Sequence, residues 1–261
     1  MIRVPLFLPA HRIDRLAGAV ASGADCVILD LEDGVPADQK AAARAAVAAL
    51  APQAIPIALR INAEGTPWHD EDCAAARASL VLAAVMLPKC EAPPEADRFP
   101  GKALWPLIET VAGLANARRI AAAPAVERLA FGSVDYSADA GCAHIREALL
   151  HARSELVVAS RLARILAPLD GVFLKLDDTE GAAAEARYAR ELGFAGKMAI
   201  HPRQIAALRS GFAPDAEQLA WARRVMAAGE DTGAVSIDGM MIDAPVRQLA
   251  VALLSEAALA D

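Results

Sequence analysis

The sequence predicts an α/β fold, a (β/α)8 TIM barrel with a C-terminal helical extension. Two observations carry that expectation. Strand-length apolar runs alternate with helical stretches eight times along the chain. Several of those runs, such as Cys26–Leu31 (CVILDL), are nearly continuous, as parallel strands covered on both faces are. Alternating units imply a parallel sheet with right-handed crossovers, and eight of them imply closure. A doubly wound open sheet is the alternative. It usually places a glycine-rich turn after its first strand, and no GxGxxG stands there.

Taken in order, Val4–Leu8 is the first strand, ended by Pro9, and His11–Ala21 is a helix stopped by Gly23. Cys26–Leu31 is the second strand, and the Ala-rich helix Ala37–Leu50 follows, with Pro36 near its start and Pro52 beyond its end. Ile55–Ile61 is the third strand, Cys73–Leu80 a helix, and Ala83–Leu87 the fourth strand, closed by Pro88-Lys89. Leu104–Ile108 is the fifth. A helix with its stripe on Ala112, Leu114, Ala115 and Ile120 leads to the sixth, Leu129–Phe131. The helix Ile145–Leu166, strand seven over Gly171–Leu176, the helix Glu180–Leu192 and strand eight over Lys197–Ile200 complete the barrel. A helix over Asp215–Ala228, a Gly-rich turn over Gly229–Gly239 and a last helix over Pro245–Leu259 lie beyond. The expected domains are a barrel over 1–228 and an extension over 229–261, packed on the barrel or on a neighbouring subunit.

Composition narrows the function. Apolar residues make up 56% of the chain but aromatics only 4%, so helix–sheet packing rests on small aliphatic side chains. A net charge of −7 argues against a nucleic-acid partner. The four cysteines show no CxxC pair, which fits reduced thiols in a cytoplasmic protein. Pro5 and Pro9 interrupt the N-terminus, so no signal peptide is expected, and no apolar run is long enough for a membrane span.

Polar residues just after the strands of a barrel form its site. Here they are Asp30, Glu32 and Asp33, Arg60 and Asn62, Lys89, Glu109, Asp135, Lys175 and Asp177, and His201. Glu109 and Asp135 close strands five and six and emerge at one edge. Two such carboxylates suit a hard cation such as Mg²⁺, with waters and substrate oxygens filling its octahedron. As helix and turn caps they would need no metal. Arg60 either neutralises the strand-two acids or grips a substrate carboxylate with its planar fork. Lys89 would serve as a Schiff-base nucleophile only if burial depressed its pKa. His201 before Pro202 reads as a cap. Lys40 and Arg44, four apart on one helix face, either pair with neighbouring acids or hold CoA phosphates.

The segments LFLPAHR, DCVILDLEDGVPADQKAAAR, ALRIN, VMLPK, LIETVAG, LAFGSVDYSADAG and GMMIDAP resemble the HpcH/HpaI aldolase/citrate lyase family, and most of all its citrate lyase β-subunit-like branch. The resemblance covers nearly the whole chain in order. It implies a (β/α)8 barrel, trimeric or hexameric, with Mg²⁺ held by Glu109 and Asp135 and with Arg60 binding the substrate carboxylate. It further implies carbon–carbon bond cleavage or formation on CoA thioesters such as citryl-, malyl- or citramalyl-CoA. Asp243 in GMMIDAP matches an aspartate that, in some relatives, reaches a neighbouring subunit's site as a general base; by itself it also reads as a turn residue before the last helix. The family often carries an acidic residue where this chain has Lys175. A class II aldolase for free 4-hydroxy-2-oxo acids and a non-catalytic acyl-CoA-binding subunit are the alternative functions. The apolar segment Gly239–Pro245 falls after the barrel has closed, which points to cover by another subunit and a homotrimer.

Overall fold

The computed structural model describes residues 2–227, 235–237 and 240–258. Eight parallel strands stand in sequence order: β1 (Pro5–Pro9), β2 (Cys26–Asp30), β3 (Ile57–Arg60), β4 (Leu82–Leu87), β5 (Ala103–Ile108), β6 (Ala130–Phe131), β7 (Leu169–Asp170) and β8 (Gly196–Lys197). The ring closes beyond β8, where Ala199 bridges Leu6 in parallel and exchanges main-chain hydrogen bonds with Pro5 and Phe7 at 2.8 Å. The α/β barrel is therefore present as expected.

Strand alternation sorts the core into two layers. Cys26, Ile28, Ala58, Ala84, Met86, Trp105, Leu107, Leu169 and Met198 fill the barrel interior. Val27, Leu29, Leu59, Val85, Leu104, Ile108 and Phe131 face outward, into the layer shared with the helices. Those helices are α1 (Leu16–Val20), α2 (Lys40–Ala48), α3 (His69–Ala78), α4 (Val111–Ala115), α5 (Ala117–Ala121), α6 (Ser133–Asp139), α7 (Arg146–Ala163), α8 (Thr179–Leu192) and α9 (Ile205–Phe212).

Two strands differ from expectation. β7 lies at Leu169–Asp170, and Gly171–Leu176 is the loop after it. Asp170 is fully buried there because Arg153 and Lys197 answer its charge at 2.9 and 2.6 Å. A strand carrying a buried carboxylate escapes an apolar pattern, while Leu174 and Leu176, which fit the pattern, stand exposed. β8 likewise begins a residue early, at Gly196, and ends at Lys197.

α9 was not expected. It packs on α8 through Gly211, where a Cβ would come within 2.3 Å of the Ala183 carbonyl oxygen. A glycine inside a short helix weakens its sequence signal.

After the barrel come α10 (Ala216–Ala227), a hairpin of β9 (Val235–Ile237) and β10 (Met240–Ile242), and α11 (Ala244–Ala258). The hairpin occupies part of the stretch read as a turn. Residues 228–234, 238–239 and 259–261, with the domain boundary at 228/229 and Gly239, lie outside the described residues. Ala222, Val225, Ile242 and Ala250 form a small core of their own, separate from the barrel. No helix among the described residues is long and apolar enough to cross a membrane.

Candidate active site

Strand parity builds the site. Asp30 continues the inward face of Ile28, Arg60 that of Ala58, and Glu109 that of Trp105 and Leu107, so all three side chains rise at the C-terminal mouth of the barrel. Asp135 arrives differently, from the first turn of α6, just past Gly132. These four residues share the wall of one cavity of about 400 Å³ with Phe7, Phe131, Val172 and Met198.

Glu109 is 2% exposed. Its Oε1 accepts the main-chain N–H of Lys89 at 2.7 Å, and its Oε2 lies over Gly132, where a Cβ would sit 2.4 Å away. Only glycine admits the carboxylate there. Lys89 adopts the left-handed region (φ +47°) to aim that N–H, a conformation strained for a side-chain-bearing residue. Burial, then the charges of Glu32 and Asp135, push the Glu109 carboxyl up to about 8 against the opposing pull of Lys89.

Arg60 meets Asp30 fork to fork, Nε to Oδ1 at 2.7 Å and Nη2 to Oδ2 at 2.8 Å. The N–H groups of Glu32 and Gly34 also point at Asp30, so that despite burial its carboxyl is held below the ordinary range. Arg60 Nη1 lies 2.9 Å from Glu32 Oε2 as an ion pair without hydrogen-bond alignment. The guanidinium also stacks over Phe7, 5.1 Å from the ring centre. Arg60 thus neutralises the strand-two acids and still lines the cavity.

Lys89 Nζ donates to Glu32 Oε1 at 3.0 Å and stands 3.8 Å from Glu109. Against partial burial, which would lower it, these carboxylates raise its pKa. A partly exposed lysine whose pKa is raised lacks the depressed pKa that the Schiff-base role requires. His201 caps the turn after the barrel, accepting from the Arg203 N–H at 3.2 Å.

Lys40 corrects an expectation. It is 6% exposed, and its Nζ donates to the carbonyls of Leu31 and Glu32 at 2.7 and 3.0 Å and to Asn62 Oδ1 at 2.7 Å. Arg44 is occupied by Asp72 at 2.7 Å and by Glu71. Neither is free for a CoA phosphate. Lys40 is instead a buried clamp on the loop that carries Glu32. Asp243 stands exposed at the start of α11, where its Oδ1 accepts the Val246 N–H at 3.2 Å, and it is not part of its own chain's cavity wall. Ser133, missing from the sequence reading, lines the cavity and lies 3.0 Å from His144 Nε2. The Gly-Ser turn before Asp135 was its only signal.

The donor set suits a hard cation. Among the described residues no group of three His, Cys, Asp or Glu side chains is placed to hold a metal ion by itself, so the protein would offer two carboxylates and leave the remaining positions to waters and substrate oxygens, as Mg²⁺ prefers. A nearby cation would also oppose the burial and the carboxylate repulsion that raise the Glu109 pKa.

Residues 3–99 and 103–202 match the HpcH/HpaI aldolase/citrate lyase family. The chain belongs to this family. It is an enzyme of the aldolase and citrate lyase class, and relatives of that class align along nearly its full length. A citrate lyase subunit beta-like protein of Mycobacterium tuberculosis is 39% identical over 97% of this chain and 94% of its own. The human mitochondrial citramalyl-CoA lyase is 30% identical over 94% of this chain and 82% of its own. The crystal structure of CitE from Mycobacterium tuberculosis in complex with magnesium, acetoacetate and coenzyme A superimposes with a TM-score of 0.90 at 37% identity, covering 98% of both chains.

Proposed function

We propose that the chain is a Mg²⁺-dependent carbon–carbon lyase that cleaves or forms a hydroxy-acyl-CoA thioester of the citryl-, malyl- or citramalyl-CoA kind. The buried Glu109 carries this reading. It faces a cavity beside Asp135, is forced up to about 8 by burial and neighbouring carboxylates, and has one oxygen fixed by the Lys89 N–H. Likeness to a citramalyl-CoA lyase and to a CitE bound to magnesium and coenzyme A supports the substrate class.

When bound by Glu109 and Asp135, Mg²⁺ supplies a Lewis acid for the negative charge of an enolate oxygen, worth several kcal/mol of barrier. The protein's own residues do the rest. Arg60 has five N–H donors, of which Asp30 takes two through Nε and Nη2; its Nη1 faces Glu32 as an ion pair without hydrogen-bond alignment, so its donors can turn to a substrate carboxylate that displaces Glu32. Anchoring that carboxylate fixes the bond to be broken relative to Glu109. Phe7, Val172 and Met198 line the cavity with apolar surface and limit water around the developing charge.

For the proton of the substrate hydroxyl we assign Asp243 of a neighbouring subunit in a homo-oligomer, most simply a trimer. Its exposure supports this, as do Met241, Leu249 and Val251, exposed apolar side chains of the same C-terminal segment (70, 56 and 47% exposed). The unpaired cysteines fit a reducing, cytoplasmic setting.

A panel of hydroxy-acyl-CoA thioesters assayed with Mg²⁺ or with EDTA tests the reading. Cleavage that EDTA stops supports it. Pyruvate release from a free 4-hydroxy-2-oxo acid, with no response to CoA esters, would make the chain a class II aldolase. Binding of acyl-CoA without turnover would make it a non-catalytic subunit.

A further inference from the structure

A second cleft opens beside the Glu109 cavity, between the loop after β7 and helices α7 and α8. It measures about 220 Å³ and shares Val172 with its neighbour. Arg146, Arg153, Lys175 and Lys197 line it against a single carboxylate, Glu185. In a chain of net charge −7, such a wall is not background composition.

The wall carries more positive charge than its own acids answer. Asp170, Arg153 and Lys197 form a fully buried triad, with Arg153 Nε at 2.9 Å and Lys197 Nζ at 2.6 Å from the carboxylate. Two cations against one anion leave one positive charge in a place where unanswered charge is costly. Arg153, 2% exposed, keeps its Nη1 without a hydrogen-bond partner. Its guanidinium also lies over the faces of Phe131 and Tyr188, each 5.7 Å away. Arg146 is matched by Glu185 at 2.7 Å, while Lys175 is exposed and makes no ion pair among the described residues. The excess is felt at His144 on the same wall, where burial and then Arg153 and Lys197 hold the imidazole pKa below its ordinary value.

Backbone geometry adds to the side chains. α7 runs for 18 residues and begins at this cleft, with Ile145 as its N-cap and no side chain capping it. Its first-turn N–H groups lack a capping side chain and can meet an anion, with Glu147 the one acid of that turn.

We propose that this cleft is a second anion-binding site, taking a small oxyanion, carboxylate or phosphate, through Lys175, the α7 N-terminus and the excess charge of Arg153 and Lys197. Loops after strands seven and eight are a frequent place for phosphate groups in (β/α)8 barrels. The site stands independently of the metal reading, since none of these residues touches Glu109 or Asp135.

Calorimetric titration of the metal-free protein with inorganic phosphate and, separately, with malonate tests it. One saturable site per chain is expected for at least one of them, weakened tenfold or more in Lys175→Glu and unchanged in Arg60→Lys. Tighter phosphate would assign the site to a phosphoryl group, and tighter malonate to the far carboxylate of an acyl substrate. No saturable binding of either anion overturns the proposal. Undiminished binding in a folded Lys175→Glu protein does so too, as does a loss confined to Arg60→Lys, which would put the anion in the main cavity. Lys175 is exposed, so circular dichroism should find that variant folded.

Discussion

The guanidinium of Arg60 and the carboxylate of Asp30 meet as two parallel hydrogen bonds of 2.7 and 2.8 Å across the mouth of the barrel. Both residues end neighbouring strands and are register partners, so the pair locks β2 to β3 and fixes the plane of the fork. The N–H groups of Glu32 and Gly34 use the remaining acceptor sites of Asp30, which ties the loop after β2 to the same pair.

Arg60→Lys keeps the charge and loses the fork. Two effects are expected together: a lower melting temperature, and a fall in kcat/KM equivalent to about 2–4 kcal/mol. Steady-state kinetics and a thermal melt measure both. A melt that drops while the kinetics hold would leave Arg60 as a structural partner of Asp30 and nothing more.

Glu109 sets a pH dependence. Its folded pKa, raised from 4.5 to about 8, means the native state holds an extra proton across that window. Its contribution to stability is complete below pH 4.5 and is lost as pH rises through about 8, at up to about 1.4 kcal/mol per pH unit. Urea unfolding of the metal-free protein should show this decline, and Glu109→Gln should flatten it. Identical slopes in the two proteins would show that Glu109 is ionised without help.

Lys40→Ala should destabilise the protein by about 1–3 kcal/mol, because two loop carbonyls and Asn62 lose a buried donor. The loop carrying Glu32 should loosen and kcat should fall with it. Equilibrium unfolding checks the first and turnover the second. An unaltered unfolding midpoint would contradict the clamp.

The barrel was legible because strands buried on both faces write themselves as apolar runs, and because parity carries Asp30, Arg60 and Glu109 inward from Ile28, Ala58 and Leu107. What was not legible depends on residues distant in sequence. Asp170 sits in a strand only because Arg153 and Lys197, 17 and 27 positions away, neutralise it. Lys40 looks like one cation on an exposed helix face, and only the folded loops of Leu31, Glu32 and Asn62 turn it into a buried clamp.

Subunit sharing has a direct test. Asp243→Asn and Glu109→Gln should each be inactive alone, and mixing them with subunit exchange should restore part of the activity if Asp243 serves a neighbour's site. Exchange without recovery would confine the site to one chain, and a monomer in solution would remove the premise.

The central claim, that Glu109 and Asp135 hold a divalent metal, is tested most directly by titrating Mg²⁺ into the protein calorimetrically. One site per chain is expected, with proton release near neutral pH as Glu109 ionises, and with binding lost in Glu109→Gln and Asp135→Asn proteins that remain folded. Undiminished Mg²⁺ binding in either variant would contradict it.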